Sequence, residues 1–201
     1  MTDSNVSRTS KRRLLEAAGG VALIAAVGGG TVALSGPTQA RLRPPGSVRE
    51  ADFLAKCLRC DRCRSVCPQH VIRSGDFADG LASLRTPLLT FQTGYCDFCD
   101  KCIAVCPTGA LLPVPSDKKA VLGLAEITDN CIALRTGACS KCVKNCPEDA
   151  IHLNAAKIPV IDAARCNGCG KCEATCPANV IQSYRGGERG IVVRPLKSED
   201  N

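Results

Sequence analysis

The chain has 201 residues, with 26 lysines and arginines against 19 aspartates and glutamates, and a formal charge of +7 when its 16 cysteines count as neutral. Aromatic residues make up only 3% of the sequence and tryptophan is absent, which predicts only a thin core of large side chains. The positive charge does not indicate a nucleic-acid partner, because no aromatic-rich basic patch accompanies it. The cysteine content predicts instead a fold held by covalent or metal cross-links.

The first forty residues, 1–40, are predicted to be an export signal. A basic start containing Arg12 and Arg13 precedes an apolar, glycine- and alanine-rich run over residues 17–34, and Ala40 ends a stretch suited to cleavage. The arginine pair indicates the twin-arginine route, so the chain is expected in the periplasm. The alternative is a membrane anchor, since the apolar run has about the 18 residues that just span a bilayer.

Past residue 50, one cysteine motif occurs four times. Three copies read C-x2-C-x2-C-x3-C-P, and the third copy has seven residues in its first gap instead of two. The motifs use all 16 cysteines, and each ends on a proline. Motif 1 contains Cys57, Cys60, Cys63 and Cys67; motif 2 contains Cys96, Cys99, Cys102 and Cys106; motif 3 contains Cys131, Cys139, Cys142 and Cys146; motif 4 contains Cys166, Cys169, Cys172 and Cys176.

Thiols at every third position indicate [4Fe-4S] clusters. A loop with this spacing places three thiolates on one cubane, while the fourth cysteine lies beyond a helical turn and reaches the second cluster of a pair, as in bacterial two-cluster ferredoxins. The proline ends the turn because it fixes φ and donates no hydrogen bond. Gly168 and Gly170 fit a tight loop near a cluster, where a Cβ has little room. All sixteen cysteines are therefore predicted to bind iron, in four [4Fe-4S] clusters.

Other cysteine chemistries fit the sequence less well. Disulfides between cysteines two residues apart are too local to stabilise a fold, and structural zinc sites need neither a third cysteine at the same interval nor a fourth before proline. A zinc-binding structural module is therefore the weaker alternative. A cubane with four cysteine ligands has no open iron for a substrate, so we expect an electron carrier and no catalytic residues. His70 and His152 are expected in strands just after motifs, as surface or packing residues.

The segments between the motifs predict an α+β protein of two ferredoxin-like units, with small β-hairpins and short helices around the four clusters. Strands are expected at 150–153 and 158–161 in one hairpin and at 110–114 and 122–127 in a similar segment, whereas residues 68–95 resemble a longer surface excursion. The predicted order is export signal 1–40, linker 41–56, first unit 57–122, second unit 123–190 and C-terminal tail 191–201.

Two pairings of the motifs are open. In the sequential pairing motif 1 pairs with motif 2 and motif 3 with motif 4, whereas in the nested pairing motif 2 pairs with motif 3 and motif 1 with motif 4. The compact hairpin after Cys146 favours the sequential pairing. That pairing gives four groups of ligands: Cys57, Cys60 and Cys63 with Cys106; Cys96, Cys99 and Cys102 with Cys67; Cys131, Cys139 and Cys142 with Cys176; and Cys166, Cys169 and Cys172 with Cys146.

Basic residues surround motif 1, at Lys56, Arg59, Arg62 and Arg64. One interpretation is that their charge raises the reduction potential of the nearby cluster above those of the other three, because net charge helps to set cluster potentials. The other is that these side chains only contact solvent or an acidic partner.

Three features resemble those of one known family: the twin-arginine start, the segment RLRPPG at residues 41–46, and the widened gap of motif 3. The chain resembles the ferredoxin-type subunits of periplasmic nitrate reductase and methylamine utilisation systems, the NapG/MauM family. The resemblance implies a periplasmic electron carrier beside a membrane-bound quinol dehydrogenase, passing electrons to a periplasmic oxidoreductase. Contact with the membrane would come through the partner or an uncleaved signal. The alternative is an iron–sulfur small subunit of another reductase or dehydrogenase complex.

Overall fold

The computed structural model describes residues 40–115, 119–178 and 188–196. The predicted export signal lies outside the described residues apart from Ala40. The described residues belong to one compact unit. Among them, no helix has the length and apolar character needed to cross a membrane.

The first half is built around motifs 1 and 2. Helix α1 (Glu50–Lys56) leads into motif 1, which contains α2 (Arg62–Ser65), and motif 2 contains α3 (Lys101–Ala104). Between the motifs, β1 (Ile72–Ser74) and β2 (Pro87–Leu89) form an antiparallel hairpin in which Ile72 faces Leu89. The connection holds two 3-10 turns, Phe77–Asp79 and Leu81–Ser83.

The second half repeats this plan around motifs 3 and 4. Helix α4 (Ile132–Thr136) occupies the widened gap of motif 3, which also contains α5 (Lys141–Asn145), and motif 4 contains α6 (Lys171–Ala174). Strands β4 (Ile151–Leu153) and β5 (Pro159–Ile161) form the hairpin between the motifs. Strand β3 (Leu124–Ile127) precedes motif 3 and pairs antiparallel with β6 (Ile191–Arg194).

The hairpin predicted after Cys146 is confirmed, but two other expectations about strands are wrong. Residues 110–114 form no strand and contribute a single bridge, between Leu111 and Ser47. The partner of β3 is instead β6, which begins in the predicted C-terminal tail and buries Ile191, Val192 and Val193. Residues 110–114 lie against the N-terminal segment instead, where the Leu112 N–H donates a 2.7 Å hydrogen bond to the Gly46 carbonyl.

Residues 68–95 were expected to be a surface excursion, but they supply much of the core. Val71, Leu88 and Phe91 are each no more than 3% exposed. The middle of the segment lies at the surface, where Phe77 and Leu81 are 76% and 69% exposed. In this chain of few aromatic residues the core combines this hairpin, Phe53 of α1, residues of β3, β4 and β6, and several of the cysteines.

Residues 41–56, expected to be a linker, pack into the first half. The Arg43 guanidinium is buried, donates 2.7 Å and 2.8 Å hydrogen bonds to Thr86 Oγ1 and the Pro87 carbonyl, and pairs with Glu50. It also lies 4.5 Å from the centroid of the Phe53 ring. Because a buried charge needs partners of this kind, the arginine fixes the N-terminal segment against β2.

Candidate functional site: four cysteine-lined cavities

The described part of the structure contains four cavities that are each lined by four cysteines. In chain order their volumes, including the solvent space at the mouth, are about 390, 330, 310 and 310 Å³. All sixteen cysteines are free thiols. We number the cavities by chain order: site 1 contains Cys57, Cys60, Cys63 and Cys106; site 2 contains Cys67, Cys96, Cys99 and Cys102; site 3 contains Cys131, Cys139, Cys142 and Cys176; site 4 contains Cys146, Cys166, Cys169 and Cys172.

These groupings are those of the sequential pairing. In each motif the third cysteine lies within the short helix, and the fourth lies just past its end, before the proline. The first three cysteines line one cavity while the fourth lines the cavity of the paired motif, as with Cys106 of motif 2 in site 1. This helix of four or five residues therefore separates the first three thiols of a motif from the fourth, which points into the other cavity.

Buried thiols in these cavities favour the protonated form. Burial, the largest cause, raises the pKa of Cys63 to about 11 and that of Cys96 to about 12. Neighbouring thiols add to the effect, as Cys96 and Cys63 do for Cys102, whose pKa is raised to about 12. A centre that binds these sulfurs as thiolates must supply positive charge, which iron does, so the donor set fits a [4Fe-4S] cluster.

Backbone N–H groups direct hydrogen bonds at some of the sulfurs. The N–H of Ala150 donates to Cys146 Sγ in site 4 over 3.3 Å. Around Cys106 in site 1, burial raises the pKa, but hydrogen bonds from the N–H groups of Thr108 and Leu111 outweigh it, and the net shift is downward. Hydrogen bonds to cluster sulfurs and burial are the means by which a protein sets the potential of such a centre.

Glycine at 168 and 170 is required by the neighbouring protein that packs against the motif 4 loop. Both have positive φ, +70° and +80°, as do Arg59 and Asp61 at the equivalent positions of motif 1. A methyl group at Gly168 would overlap the backbone of Gly123, which lies before β3. At Gly170 it would overlap the ring of Phe91. The expectation of limited room is therefore right, but the space is taken by protein.

The other residues named from the sequence lie at the surface. His152 is exposed in β4, and His70 is exposed in a turn with φ of +52°, not in the predicted strand. Arg59 is also exposed, and it donates to the carbonyls of Leu84 and Ala82 at 3.0 and 3.4 Å, which ties motif 1 to the excursion. Lys56, Arg62 and Arg64 are exposed as well.

The sequence interpretation missed two residues that shape site 4. Asn167 accepts a 3.1 Å hydrogen bond from the Cys169 N–H and donates at 3.0 Å to Glu148. Phe91 lies against the motif 4 loop from the first half. The only sequence signal for Phe91 is a glycine at 170 where motifs 1 and 2 have aspartate.

Comparisons with known proteins agree with this geometry. The 4Fe-4S dicluster domain family matches residues 56–110 and 128–180. Similar curated proteins include the methylamine utilization ferredoxin-type protein MauM of Methylobacillus flagellatus, 36% identical over 73% of this chain and 69% of that protein. MauM of Paracoccus denitrificans is 36% identical over 71% of this chain and 72% of its own length.

The ferredoxin-type protein NapG of Escherichia coli is 33% identical, over 72% of this chain and 64% of its own length. No solved structure matches the chain at a significant level. The two dicluster matches cover the two motif pairs, and their cysteines fit four [4Fe-4S] clusters in a tandem ferredoxin-like arrangement. The chain belongs to the MauM and NapG family of ferredoxin-type iron–sulfur electron-transfer proteins.

Proposed function

We propose that this chain is a periplasmic electron carrier that relays electrons between a membrane-bound quinol dehydrogenase and a periplasmic oxidoreductase. Its sixteen cysteines are the ligands of four clusters, one in each of sites 1–4. The observation that carries the proposal is the lining of each cavity by four cysteines, three from one motif and one from its partner.

Four ligands per cluster support relay and not catalysis. Such a cluster supplies a one-electron redox couple and offers no open coordination position to a substrate. The protein's part is to fix the four thiolates, direct N–H groups at the sulfurs and keep water away. Buried Cys96, Cys142 and Cys172 show that much of this sulfur is shielded.

Exposed cysteines mark where electrons can enter or leave. Cys60 of site 1 and Cys99 of site 2 are exposed, so a redox partner can approach these sites directly. Site 1 also has exposed Leu58 beside Cys60, 67% accessible to solvent. A carrier between two partners needs accessible sites of this kind.

The export part of the proposal rests on residues 1–40. Twin-arginine export carries folded cargo, which suits a protein whose clusters are inserted in a reducing cytoplasm. Replacing Arg12 and Arg13 together with lysine should leave the chain in the cytoplasm with its clusters, while the native chain fractionates with the periplasm. A native chain confined to the cytoplasm would overturn this part alone.

Electron relay is tested with the full chain purified without oxygen. Membrane vesicles supplied with quinol should reduce it, and reduction should bleach the visible absorbance of the clusters. Zinc in place of iron would contradict the cofactor. Iron-loaded protein that quinol-supplied membranes never reduce would contradict the proposed donor and favour a subunit of another complex.

A further inference from the structure

One short segment of the first half joins it to motif 4. The N–H of Cys96 donates a 2.8 Å hydrogen bond to the carbonyl of Cys169. Cys96 lines site 2 and Cys169 lines site 4, and both are buried. A backbone hydrogen bond therefore connects two residues that line cavities in different halves of the protein.

The Phe91 ring adds a second contact between the first half and motif 4, at Gly170. Phe91 is 1% exposed, and its ring lies where a Cβ of residue 170 would be. Asp61 and Asp100 occupy the equivalent positions of motifs 1 and 2 with similar φ values, 59° and 57°. A left-handed backbone alone therefore does not demand glycine here. Close packing of Phe91 against Gly170 does, and it lets the two motifs approach each other.

Side chains hold the segment from both ends. The Lys171 ammonium lies 4.7 Å from the centroid of the Tyr95 ring, an attractive cation–π arrangement. Arg189 donates to the Gln92 carbonyl over 2.5 Å and also to the Glu173 carbonyl. Residues 91–96 are thus fixed to motif 4 by a ring contact, a backbone hydrogen bond, a cation–π pair and an arginine bridge.

Within each half the two sites adjoin through their short helices. Helix α2, which carries Cys63 of site 1, packs against α3, which carries Cys102 of site 2. Helix α5, which carries Cys142 of site 3, packs in the same way against α6, which carries Cys172 of site 4. Together with the contact between Cys96 and Cys169, these neighbours give the spatial order 1, 2, 4, 3.

We propose that the contact of Phe91 with Gly170 and the Cys96–Cys169 hydrogen bond form the junction through which electrons pass between the halves, in the order of sites 1, 2, 4, 3. This inference rests on the proposed relay function. Each step moves one electron, so the giving site is oxidised by one and the receiving site is reduced by one, with no bond broken. Sites 1 and 3 then lie at the two ends of this order, and the exposed Cys60 of site 1 marks the end that a partner can approach directly.

Gly170→Ala tests the junction, and Gly137→Ala is its matched control. Both glycines have left-handed φ, but a methyl group at Gly137 meets nothing closer than 3.9 Å, whereas at Gly170 it displaces Phe91. Full-length protein is partly reduced with dithionite, and electron exchange between the halves is followed by rapid freeze-quench EPR. We expect Gly170→Ala to keep its iron and to slow this exchange at least tenfold, while Gly137→Ala matches the native protein.

Native exchange in an iron-replete Gly170→Ala protein would overturn the inference. If that variant loses iron, Tyr95→Leu combined with Lys171→Met is used instead, because it removes the cation–π contact beside the junction and leaves Phe91 and Gly170 unchanged. We again expect slower electron exchange between the halves at full iron content. In the native reduced protein, EPR should show magnetic coupling across the halves, and its absence would also overturn the junction. A protein that holds no iron, or that dithionite cannot reduce, would instead contradict the proposed function.

Discussion

The loops of motifs 1 and 4 have the same backbone but opposite surroundings. Residues 59 and 61 and residues 168 and 170 all have positive φ, between 55° and 80°. In motif 1 the loop faces solvent, and arginine and aspartate occupy these positions. In motif 4 the loop is buried against Gly123 and Phe91, and both positions are glycine. The comparison teaches that the cluster-binding loop itself tolerates side chains, and that glycine marks where other protein approaches it.

The difference extends to how each loop is held. In motif 4, Asn167 fixes the loop by hydrogen bonds to Cys169 and Glu148, and its own carbonyl accepts from the Leu122 N–H at 3.0 Å. Leu58 occupies the equivalent position of motif 1, where it is 67% exposed. Motif 4 is therefore an internal element, whereas motif 1 presents its loop to whatever binds the protein.

The largest expected effect tests whether the two loops serve crossed sites. Cys57→Ala with Cys106→Ala removes two cysteines from site 1, so the protein should lose one cluster, about four of about sixteen irons. Cys57→Ala with Cys67→Ala removes two cysteines from one motif but from sites 1 and 2, so about eight irons should be lost. Iron analysis of anaerobically purified protein measures both. If the first pair lost eight irons and the second four, each motif would hold its own cluster and the crossed grouping would be wrong.

An alanine substitution should destabilise the buried loop of motif 4 more than the exposed loop of motif 1. Gly168→Ala must displace the Gly123 backbone, and we expect it to lower the free energy of unfolding by about 3 kcal/mol. Arg59→Ala, at the equivalent exposed position, should change it by less than about 1 kcal/mol. Anaerobic guanidinium titrations followed by cluster absorbance compare the two. Equal losses would show that the loops do not differ as their burial indicates.

Charge at the exposed loop sharpens the comparison further. Arg59→Glu with Arg62→Glu replaces positive by negative charge beside site 1, which disfavours the more negative reduced state. We therefore expect the potential of the site 1 cluster to fall in an EPR-monitored redox titration, while sites 3 and 4 serve as internal references. Were no potential to move, the charge of these arginines would not set the potential of the site 1 cluster.

The smallest expected effect concerns residues 68–95, in which the Leu84 and Ala82 carbonyls accept hydrogen bonds from Arg59. Arg73 forms 2.6 and 2.7 Å hydrogen bonds to Asp79, and mainly for this reason the pKa of Asp79 is lowered to about 2. A depressed pKa stabilises the fold above the ordinary value of about 3.9 and loses that contribution as pH falls toward 2. Asp79→Asn should cost about 1 kcal/mol near neutral pH, and its deficit should shrink in acid.

The rate of cluster loss between pH 7 and 3 measures this deficit, with the exposed Asp52→Asn as the control. A deficit that stayed constant down to pH 3 would show that Asp79 contributes through its shape and not through its charge.

Local spacing predicted the site better than it predicted the fold. The cysteine rhythm and the prolines determine the short helices and the crossed cavities, because each depends on a few neighbouring residues. The hairpin after motif 3 was predictable for the same reason, since its two strands are joined by a short turn. Because the compact hairpin favoured the sequential pairing, the sequence also predicted which four cysteines line each cavity.

Long-range packing was beyond the sequence argument. The pairing of β3 with β6 joins residues more than sixty positions apart, and short apolar segments do not specify distant partners. The burial of Arg43 depends on Glu50, Thr86 and Pro87 converging on it. Likewise, nothing local to Phe91 shows that it packs against Gly170.

Anomalous diffraction at the iron edge, from anaerobic crystals of the full chain, tests the account most directly. It should show four compact iron clusters whose sulfur ligands are the four groups named for sites 1–4, with the clusters of sites 2 and 4 the nearest pair between the halves. Single metal ions in the cavities, or a cluster shared between motifs 2 and 3, would contradict it.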